Sequence, residues 1–203
     1  MLRQRDYCEM RHEARVLLLS QRGFNFQHWM PWVYEFEDAI RAVDAVHLLT
    51  PPSLVRTALA REWCRLKNGV LLRLGRITDP GIPEIELEAD YELFFCILNW
   101  PAEAAMLGRV RGLRKRCRRA VAVIVEAWSE QIAANRAELR LLSELGFDAV
   151  YLTHRSGLAE LAAVSGCPCS LFLFGTDTLR FAPYPHPPAR VVDCYSMVRR
   201  SEV

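Results

Sequence analysis

The chain has 203 residues, of which 51% are hydrophobic and 25% are charged. This composition excludes an intrinsically disordered chain and a bundle of membrane helices. The 26 basic and 24 acidic residues give a formal net charge of +2. Dedicated nucleic-acid binders carry a larger basic excess, so that class is disfavoured.

The amino-terminal residues are not expected to direct export. Residues 1–13 are polar and charged, without the apolar stretch of a signal peptide. The apolar runs further along are much shorter than the ~20 residues that a membrane-spanning helix needs. The sequence therefore predicts a cytoplasmic protein.

Short apolar runs recur along the chain and predict buried strands. They are residues 15–19, 46–49, 91–98, 120–125, 149–152 and 170–174. Because these runs are continuous rather than alternating, they favour a parallel sheet that helices cover on both faces.

A helical pattern follows the second run. We expect Ser53 to cap this helix and Asn68-Gly69 to end it. Its predicted apolar face consists of Leu54, Val55, Ala58, Leu59 and Leu66.

Three further helices have recognisable ends. Pro101 begins one directly after a strand, and Ser129 caps another, which Gly146 ends. The third covers residues 156–165 and ends at Gly166.

The alternation of strands and helices predicts a Rossmann-like, doubly wound α/β domain with a mostly parallel sheet and helices on both faces. Ligand sites in such folds lie at the edge formed by the carboxyl ends of the strands. We therefore expect the loops after Leu19, Val125 and Leu152 to converge on one edge. Residues 70–88 interrupt the rhythm and are expected to form a surface excursion.

The loop after the first strand contains three candidate acceptor-binding residues. Ser20 and the backbone near Gly23 can donate hydrogen bonds to an oxygen-rich ligand, and Arg22 can face an anion. The Gly-x-Gly-x-x-Gly fingerprint of dinucleotide-binding domains is absent. A purely structural turn is the alternative interpretation.

Glu126, Trp128 and His154 follow later strands and are the other candidates for acceptor binding. A carboxylate accepts hydrogen bonds from hydroxyl groups, and an indole offers a flat apolar face to a sugar ring. Alternatively, Glu126 is solvated, Trp128 packs on the next helix and His154 is structural. No catalytic triad, phosphate-binding loop or metal-ligand spacing is present, so neither a metal nor a cofactor is predicted and the catalytic residues remain unassigned.

Seven basic residues are concentrated in residues 109–119. They are Arg109, Arg111, Arg114, Lys115, Arg116, Arg118 and Arg119. This run predicts weak contact with an anionic membrane, which would place the protein peripherally at the inner membrane face. A solvated helix end is the alternative. No aromatic residue separates the charges, which disfavours nucleic acid.

The last third of the chain resembles GT-B glycosyltransferases of the group 1 type. Residues 169–183 resemble the Gly-x-Asp…Phe-x-Pro segment that closes the amino-terminal domain of these enzymes. Residues 187–202 resemble the entry to their second domain, and residues 124–128 resemble a strand-end Glu-x-Trp. The resemblance implies that residues 1–183 form an acceptor-side domain and residues 184–203 a connector that is truncated before the second domain.

The same resemblance implies an activity for the complete enzyme. A sugar would pass from a nucleotide-sugar donor to a hydroxyl acceptor without a bound metal, and Asp177, Arg199 and Arg200 would lie in the interdomain region. Because the donor site belongs mainly to the second domain, this chain alone is expected to transfer no sugar. The alternative is a non-catalytic α/β module that binds a ligand or a partner.

The seven cysteines are predicted to be free thiols. They are scattered, and the one close pair, Cys167 and Cys169, matches neither a redox motif nor a zinc site. Alkylation of the denatured protein without reductant should therefore modify seven thiols, as counted by intact-protein mass. A stable bridge between any two cysteines would contradict this prediction.

Overall fold

Most of the apolar runs become strands of a single sheet. The computed structural model describes residues 2–3, 8–9, 13–23 and 31–173, all within one compact unit. The strands of the main sheet are β2 (Cys8–Glu9), β3 (Val16–Leu19), β4 (Val46–Leu49), β6 (Tyr91–Leu98), β8 (Cys117–Ile124), β9 (Ala149–Leu152) and β10 (Cys169–Leu171). Their order is β10-β9-β8-β6-β3-β4-β2, and every pair is parallel except the edge pair β2 and β4.

Three two-residue strands form a second, small parallel sheet. They are β1 (Leu2–Arg3), β5 (Ile85–Glu86) and β7 (Val110–Arg111). Ile82, Ile85 and Leu87 are almost fully buried. The expectation that residues 70–88 form only a surface excursion is therefore wrong, because the second half of this segment enters the core.

Helices cover both faces of the main sheet. The helices of the described residues are α1 (Pro31–Val43), α2 (Ala58–Arg73), the 3₁₀ helix Pro101–Arg109, α3 (Leu113–Arg116), α4 (Ser129–Ala134), α5 (Arg136–Glu144) and α6 (Leu158–Ser165). On one face, α1 packs on the strands through residues such as Val33. On the other face, the main core includes Leu107 of the 3₁₀ helix, Leu139 of α5 and Leu161 of α6. The predicted Rossmann-like α/β class is confirmed.

The register of the central strands brings their carboxyl ends to the same edge. Leu19 on β3 pairs with Cys96 on β6. Ile124 on β8 lies between Leu98 on β6 and Leu152 on β9. The loops after Leu19, Val125 and Leu152 therefore emerge at one edge, as expected.

The order of the strands reverses at β3. From β3 the chain passes to β4 on one side, and then to β6 on the other side. In a doubly wound sheet, the loops that leave such a switch point diverge and open a crevice at the carboxyl ends. The switch point lies between β3 and β6.

Helix α2 differs from its prediction in both ends and burial. Thr57, rather than Ser53, caps it by accepting a hydrogen bond from the Ala60 amide, and the helix continues past Asn68-Gly69 to Arg73. The Ser53 hydroxyl instead accepts from the Val55 amide in a local turn. No residue of α2 is buried, so its predicted apolar face is wrong as a core-facing surface.

The predicted helix ends near Gly146 and Gly166 are confirmed. Both glycines have a positive φ, 70° and 68°, a conformation that disfavours other residues. The helix predicted after Ser129 is divided in two at Asn135, whose side-chain amide donates to the Gln131 carbonyl.

Five of the seven cysteines lie in the described part of the chain with their side chains, and all five are free. Burial raises the pKa of Cys117 to about 12 and the pKa of Cys167 to about 11. A native-state thiol reagent should therefore meet little thiolate at these two sites.

The core at β6 generates a stability prediction. Phe94 is fully buried and packs edge-on against Phe147, with ring centroids 5.9 Å apart. Phe94→Ala should lower the free energy of unfolding by about 3–5 kcal/mol, because it leaves a cavity. Urea unfolding measures this loss, and Val43→Ala, at a position that is 84% exposed, should change the value by less than about 0.5 kcal/mol. Equal effects of the two substitutions would contradict the assigned core.

Candidate functional site

The turn after β3 is tied to helix α1 by a buried carboxylate. The Glu37 side chain is almost fully buried, and its Oε2 accepts hydrogen bonds from Ser20 Oγ and Arg22 Nε, each at 2.8 Å. Arg22 also pairs with Asp38 at 2.9 Å. The predicted anion-facing arginine is thus engaged by two carboxylates of its own chain.

Gly23, the third candidate in this turn, lies against the loop after β4. A Cβ atom at this position would come within 2.5 Å of the Pro51 carbonyl oxygen. Close approach of two backbones therefore requires glycine here.

A second buried polar cluster lies directly at the switch point. Gln21 is 1% exposed, and its Nε2 donates to Oε2 of Glu103 at the start of the 3₁₀ helix. The backbone amide of Asn99, at the end of β6, donates to the same oxygen at 2.6 Å. The cluster therefore joins the ends of the two strands that flank the crevice.

Glu103 has an unusual protonation equilibrium. Burial raises the pKa of its carboxyl group from 4.5 to about 7, although the hydrogen bonds from Gln21 and Asn99 favour the ionised form. A carboxyl group with this pKa can both accept and release a proton at neutral pH.

A cavity of about 460 Å³ opens beside this cluster, between the 3₁₀ helix, α2 and residues 78–80. Its polar lining includes Gln21, Glu103, Arg61, Arg65 and Asn68. This volume is within the range of small-molecule sites. Two arginines at one side and a carboxyl group at another suit a ligand that has both an anionic group and a hydroxyl group.

Asp79 fixes the wall of the cavity that α2 forms. Its carboxylate pairs with Lys67 of α2 at 2.8 Å and with Arg109 of the 3₁₀ helix at 2.9 Å. Its backbone also exchanges hydrogen bonds with the side chain of Asn68, at 2.8 Å in both directions. These contacts hold α2 against the body of the domain.

Glu126 and Trp128 follow β8 and His154 follows β9, two and three strands away from β3. The indole of Trp128 stacks on the imidazole of His154, with ring centroids 4.5 Å apart. His154 Nε2 accepts from the Ala127 amide at 3.3 Å, which leaves Nδ1 as the donor toward Ser156 Oγ. At ~4.8 Å per strand, β9 lies about 14 Å from β3. None of these three side chains lines the cavity beside Glu103.

The basic run at residues 109–119 spans several short elements instead of one helix end. It includes the last residue of the 3₁₀ helix, β7, α3 and the beginning of β8. Arg109, Arg111, Arg114 and Arg116 form ion pairs with carboxylates. Lys115, Arg118 and Arg119 have no acidic partner within the described residues, and membrane contact through the run stays a prediction.

Several predicted positions lie outside the described residues. Asp177, Arg199, Arg200 and the predicted boundary between residues 183 and 184 lie outside them. Among the described residues, no three His, Cys, Asp or Glu side chains are grouped so that they could hold a metal ion. Within the same residues, no helix has the length and apolarity needed to cross a membrane.

Comparison of the chain with protein-family models, with curated proteins and with solved structures finds no match. The functional argument therefore depends on the site itself.

Sequence reasoning missed Gln21, Glu103, Arg61 and Arg65. One sequence feature indicates a position for Glu103 near the ligand edge: it lies in the first turn of the helix that begins at Pro101, directly after a strand. Arg61 and Arg65 lie on α2, whose apolar face was predicted to pack against the core. Because the structure exposes that face instead, the two arginines were not expected to line a cavity.

The pKa of Glu103 generates a prediction about stability. Since its pKa is higher in the folded protein than its ordinary value of 4.5, its contribution to stability is fully present below pH 4.5 and is lost as the pH rises through about 7. Between pH 4.5 and 8, this loss should be roughly 2–3 kcal/mol. Glu103→Gln should remove it, as measured by urea unfolding at pH 5 and pH 8.

All other titrating groups are shared by the two proteins, so the difference between their pH dependences isolates Glu103. Identical pH dependences would contradict the raised pKa.

Proposed function

We propose that this chain is the acceptor-binding half of a glycosyltransferase, and that the cavity beside Glu103 binds the hydroxylated acceptor. The observation that carries the proposal is the position of Glu103: it lies in a cavity at the switch point of the sheet, with a pKa of about 7. The resemblance of residues 169–183 to GT-B enzymes supports the class of reaction.

Glu103 has the properties of a general base for a hydroxyl group. In its ionised form, its carboxylate accepts the proton of the acceptor hydroxyl as that oxygen attacks the sugar carbon of the donor, and the nucleoside diphosphate leaves with the bonding electrons. The hydrogen bonds from Gln21 and Asn99 hold the carboxyl group in place. General bases work best when their pKa lies near the operating pH.

Arg61 and Arg65 give the acceptor its second recognition element. They lie one helical turn apart on α2, line the same cavity and have no acidic partner within the described residues. Like charges at this spacing repel each other. An anionic group on the acceptor, such as a phosphate, relieves that repulsion and orients its hydroxyl group toward Glu103.

A non-catalytic binding module is the second candidate. The hydrogen bond from the Asn99 amide to Glu103 is typical of a carboxylate that caps the start of a helix, a structural role. In this case the cavity binds its ligand, and Glu103 takes no part in proton transfer.

Ligand titration tests the proposed site. Glucose 6-phosphate should bind more tightly than glucose in ligand-observed NMR titrations, because only the former offers an anion to Arg61 and Arg65. The double substitution Arg61→Gln/Arg65→Gln should raise the Kd for glucose 6-phosphate at least tenfold. Arg155→Gln, which removes an exposed charge near the same edge of the sheet, should change its Kd less than twofold. Failure of both sugars to bind, or equal effects of the arginine variants, would contradict the proposal.

The pH dependence separates the two candidates. If Glu103 titrates in contact with the ligand, the Kd for glucose 6-phosphate should depend on pH between 6 and 8 beyond the effect of phosphate ionisation, and Glu103→Gln should abolish this excess. If the Kd of neither the unchanged protein nor Glu103→Gln depends on pH beyond the effect of phosphate ionisation, the result favours the binding module.

A further inference from the structure

Helix α2 presents an apolar stripe to solvent. The stripe consists of Leu59, Trp63, Leu66, Val70 and Leu74 at the end of the helix. Spacings of four and three residues place these side chains on one helical face. Leu59 is 85% exposed and Trp63 is 71% exposed. Such a contiguous apolar surface marks a site of interaction.

Polar contacts on the opposite face of α2 orient the helix so that the stripe faces outward. Asn68 and Lys67 bind Asp79, and the thiol of Cys64 lies 3.8 Å from the Asp79 carbonyl oxygen. These contacts orient the helix with its polar and small residues toward the domain. The apolar face is left on the outside.

The charge around the stripe is strongly positive. Six basic residues stand against the single acidic residue Glu62 in residues 56–76, and they are Arg56, Arg61, Arg65, Lys67, Arg73 and Arg76. The segment therefore carries a net charge of +5, in a chain whose net charge is +2. A basic helix with tryptophan and leucine on its apolar face is typical of helices that lie in the interface of a membrane.

A second feature lies at the carboxyl-terminal end of α2. Four arginines, Arg73, Arg76, Arg136 and Arg140, line a cavity of about 560 Å³ between this end of the helix and α4 and α5. None of the four pairs with a carboxylate within the described residues. We call this feature the arginine cavity. Guanidinium groups bind phosphate oxygens with paired hydrogen bonds.

One carboxylate in the wall of the arginine cavity has an oxygen without a hydrogen-bond partner within the described residues. Glu138 is fully buried, and its Oε1 accepts hydrogen bonds from the amide and the hydroxyl of Thr78, both at 2.9 Å. Its Oε2 is buried and has no hydrogen-bond partner within the described residues. Buried polar atoms are normally partnered. Among the described residues, Glu138 therefore holds an unpaired carboxylate oxygen in the wall of the arginine cavity.

We propose that α2 and the arginine cavity dock the chain on an anionic membrane surface. The apolar stripe enters the headgroup region, and the arginine cavity holds the phosphate of an acidic lipid. A second copy of the chain is disfavoured as the occupant, because it would bring two segments of charge +5 together. A protein partner would need an acidic groove around a single convex helix, whereas an acidic bilayer supplies both the apolar layer and the negative charge.

Vesicle sedimentation tests the proposal. The full chain should bind vesicles of phosphatidylcholine with phosphatidylglycerol at low salt, and it should bind pure phosphatidylcholine at least tenfold more weakly. Leu59→Gln/Leu66→Gln, which keeps helix-forming residues at both positions, should reduce binding at least tenfold. Arg136→Gln/Arg140→Gln should reduce it at least fivefold.

Two control variants match these changes. Val43→Gln alters an exposed apolar residue on α1, and Arg155→Gln removes an exposed charge in the loop after β9, outside the 109–119 run. Each should leave binding within twofold of the unchanged protein. Circular dichroism and thermal unfolding check that every variant is folded.

Several outcomes would overturn the proposal. Equal binding to neutral and anionic vesicles, or no binding to either, would exclude an anionic membrane as the partner. A loss with Arg155→Gln as large as that with Arg136→Gln/Arg140→Gln assigns the binding to general charge, and an equally large loss with Arg118→Gln/Arg119→Gln assigns it to the 109–119 run. Binding of inorganic pyrophosphate that depends on Arg136 and Arg140, without vesicle binding, assigns the cavity to a free phosphate. Self-association that Leu59→Gln/Leu66→Gln abolishes, without vesicle binding, assigns the stripe to a second copy.

Discussion

The pairing of β3 with a parallel strand on each side is the constraint on which the candidate site depends. With β4 on one side and β6 on the other, the loops that leave β3 and β6 must diverge at the carboxyl edge. Gln21 fills the gap that results. Its amide reaches the Ile97 carbonyl of β6 at 3.4 Å and the Glu103 carboxylate. One buried side chain thus joins the two strand ends and positions the acidic group between them.

Two carboxylates at this edge have different chemical surroundings. Burial raises the pKa of both Glu37 and Glu103. Glu37, however, contacts the cationic Arg22, whereas the hydrogen-bond donors around Glu103 are neutral amides. The charge of Glu37 is compensated within the fold, which suits a structural role. The charge of Glu103 is not, so its proton remains exchangeable near neutral pH.

The sequence predicted the sheet well because the physical signal was local. Continuous apolar runs identify strands that are buried on both faces, and Gly146 and Gly166 mark helix ends through their backbone conformation. Helix α2 shows the limit of this reasoning. Its periodicity reveals an apolar face, but the partner of that face is not encoded in the periodicity. Burial was the default expectation, and the structure exposes the face.

The candidate site was predictable only as an edge of the sheet. The polar loops after β3, β8 and β9 were expected to share one edge, and they do. Which of them borders the crevice depends on the strand order, because β8 and β9 lie on the far side of β6. Gln21 and Glu103 are 82 residues apart in the chain, and no local pattern indicates that they meet.

Helix α2 connects the two proposals physically. Arg61 and Arg65 line the cavity beside Glu103, the proposed acceptor site, while Leu59, Trp63 and Leu66 face outward from the same helix. The helix buries no residue, and the polar contacts that hold it include a partly exposed Lys67–Asp79 ion pair, a type that contributes about 0–1 kcal/mol. It is therefore among the elements most easily displaced. A surface that fixes α2 also fixes the two arginines, which lowers the ordering cost of binding an acceptor. Because such coupling is reciprocal, an acceptor that strengthens the packing of α2 must increase the affinity for that surface by the same factor.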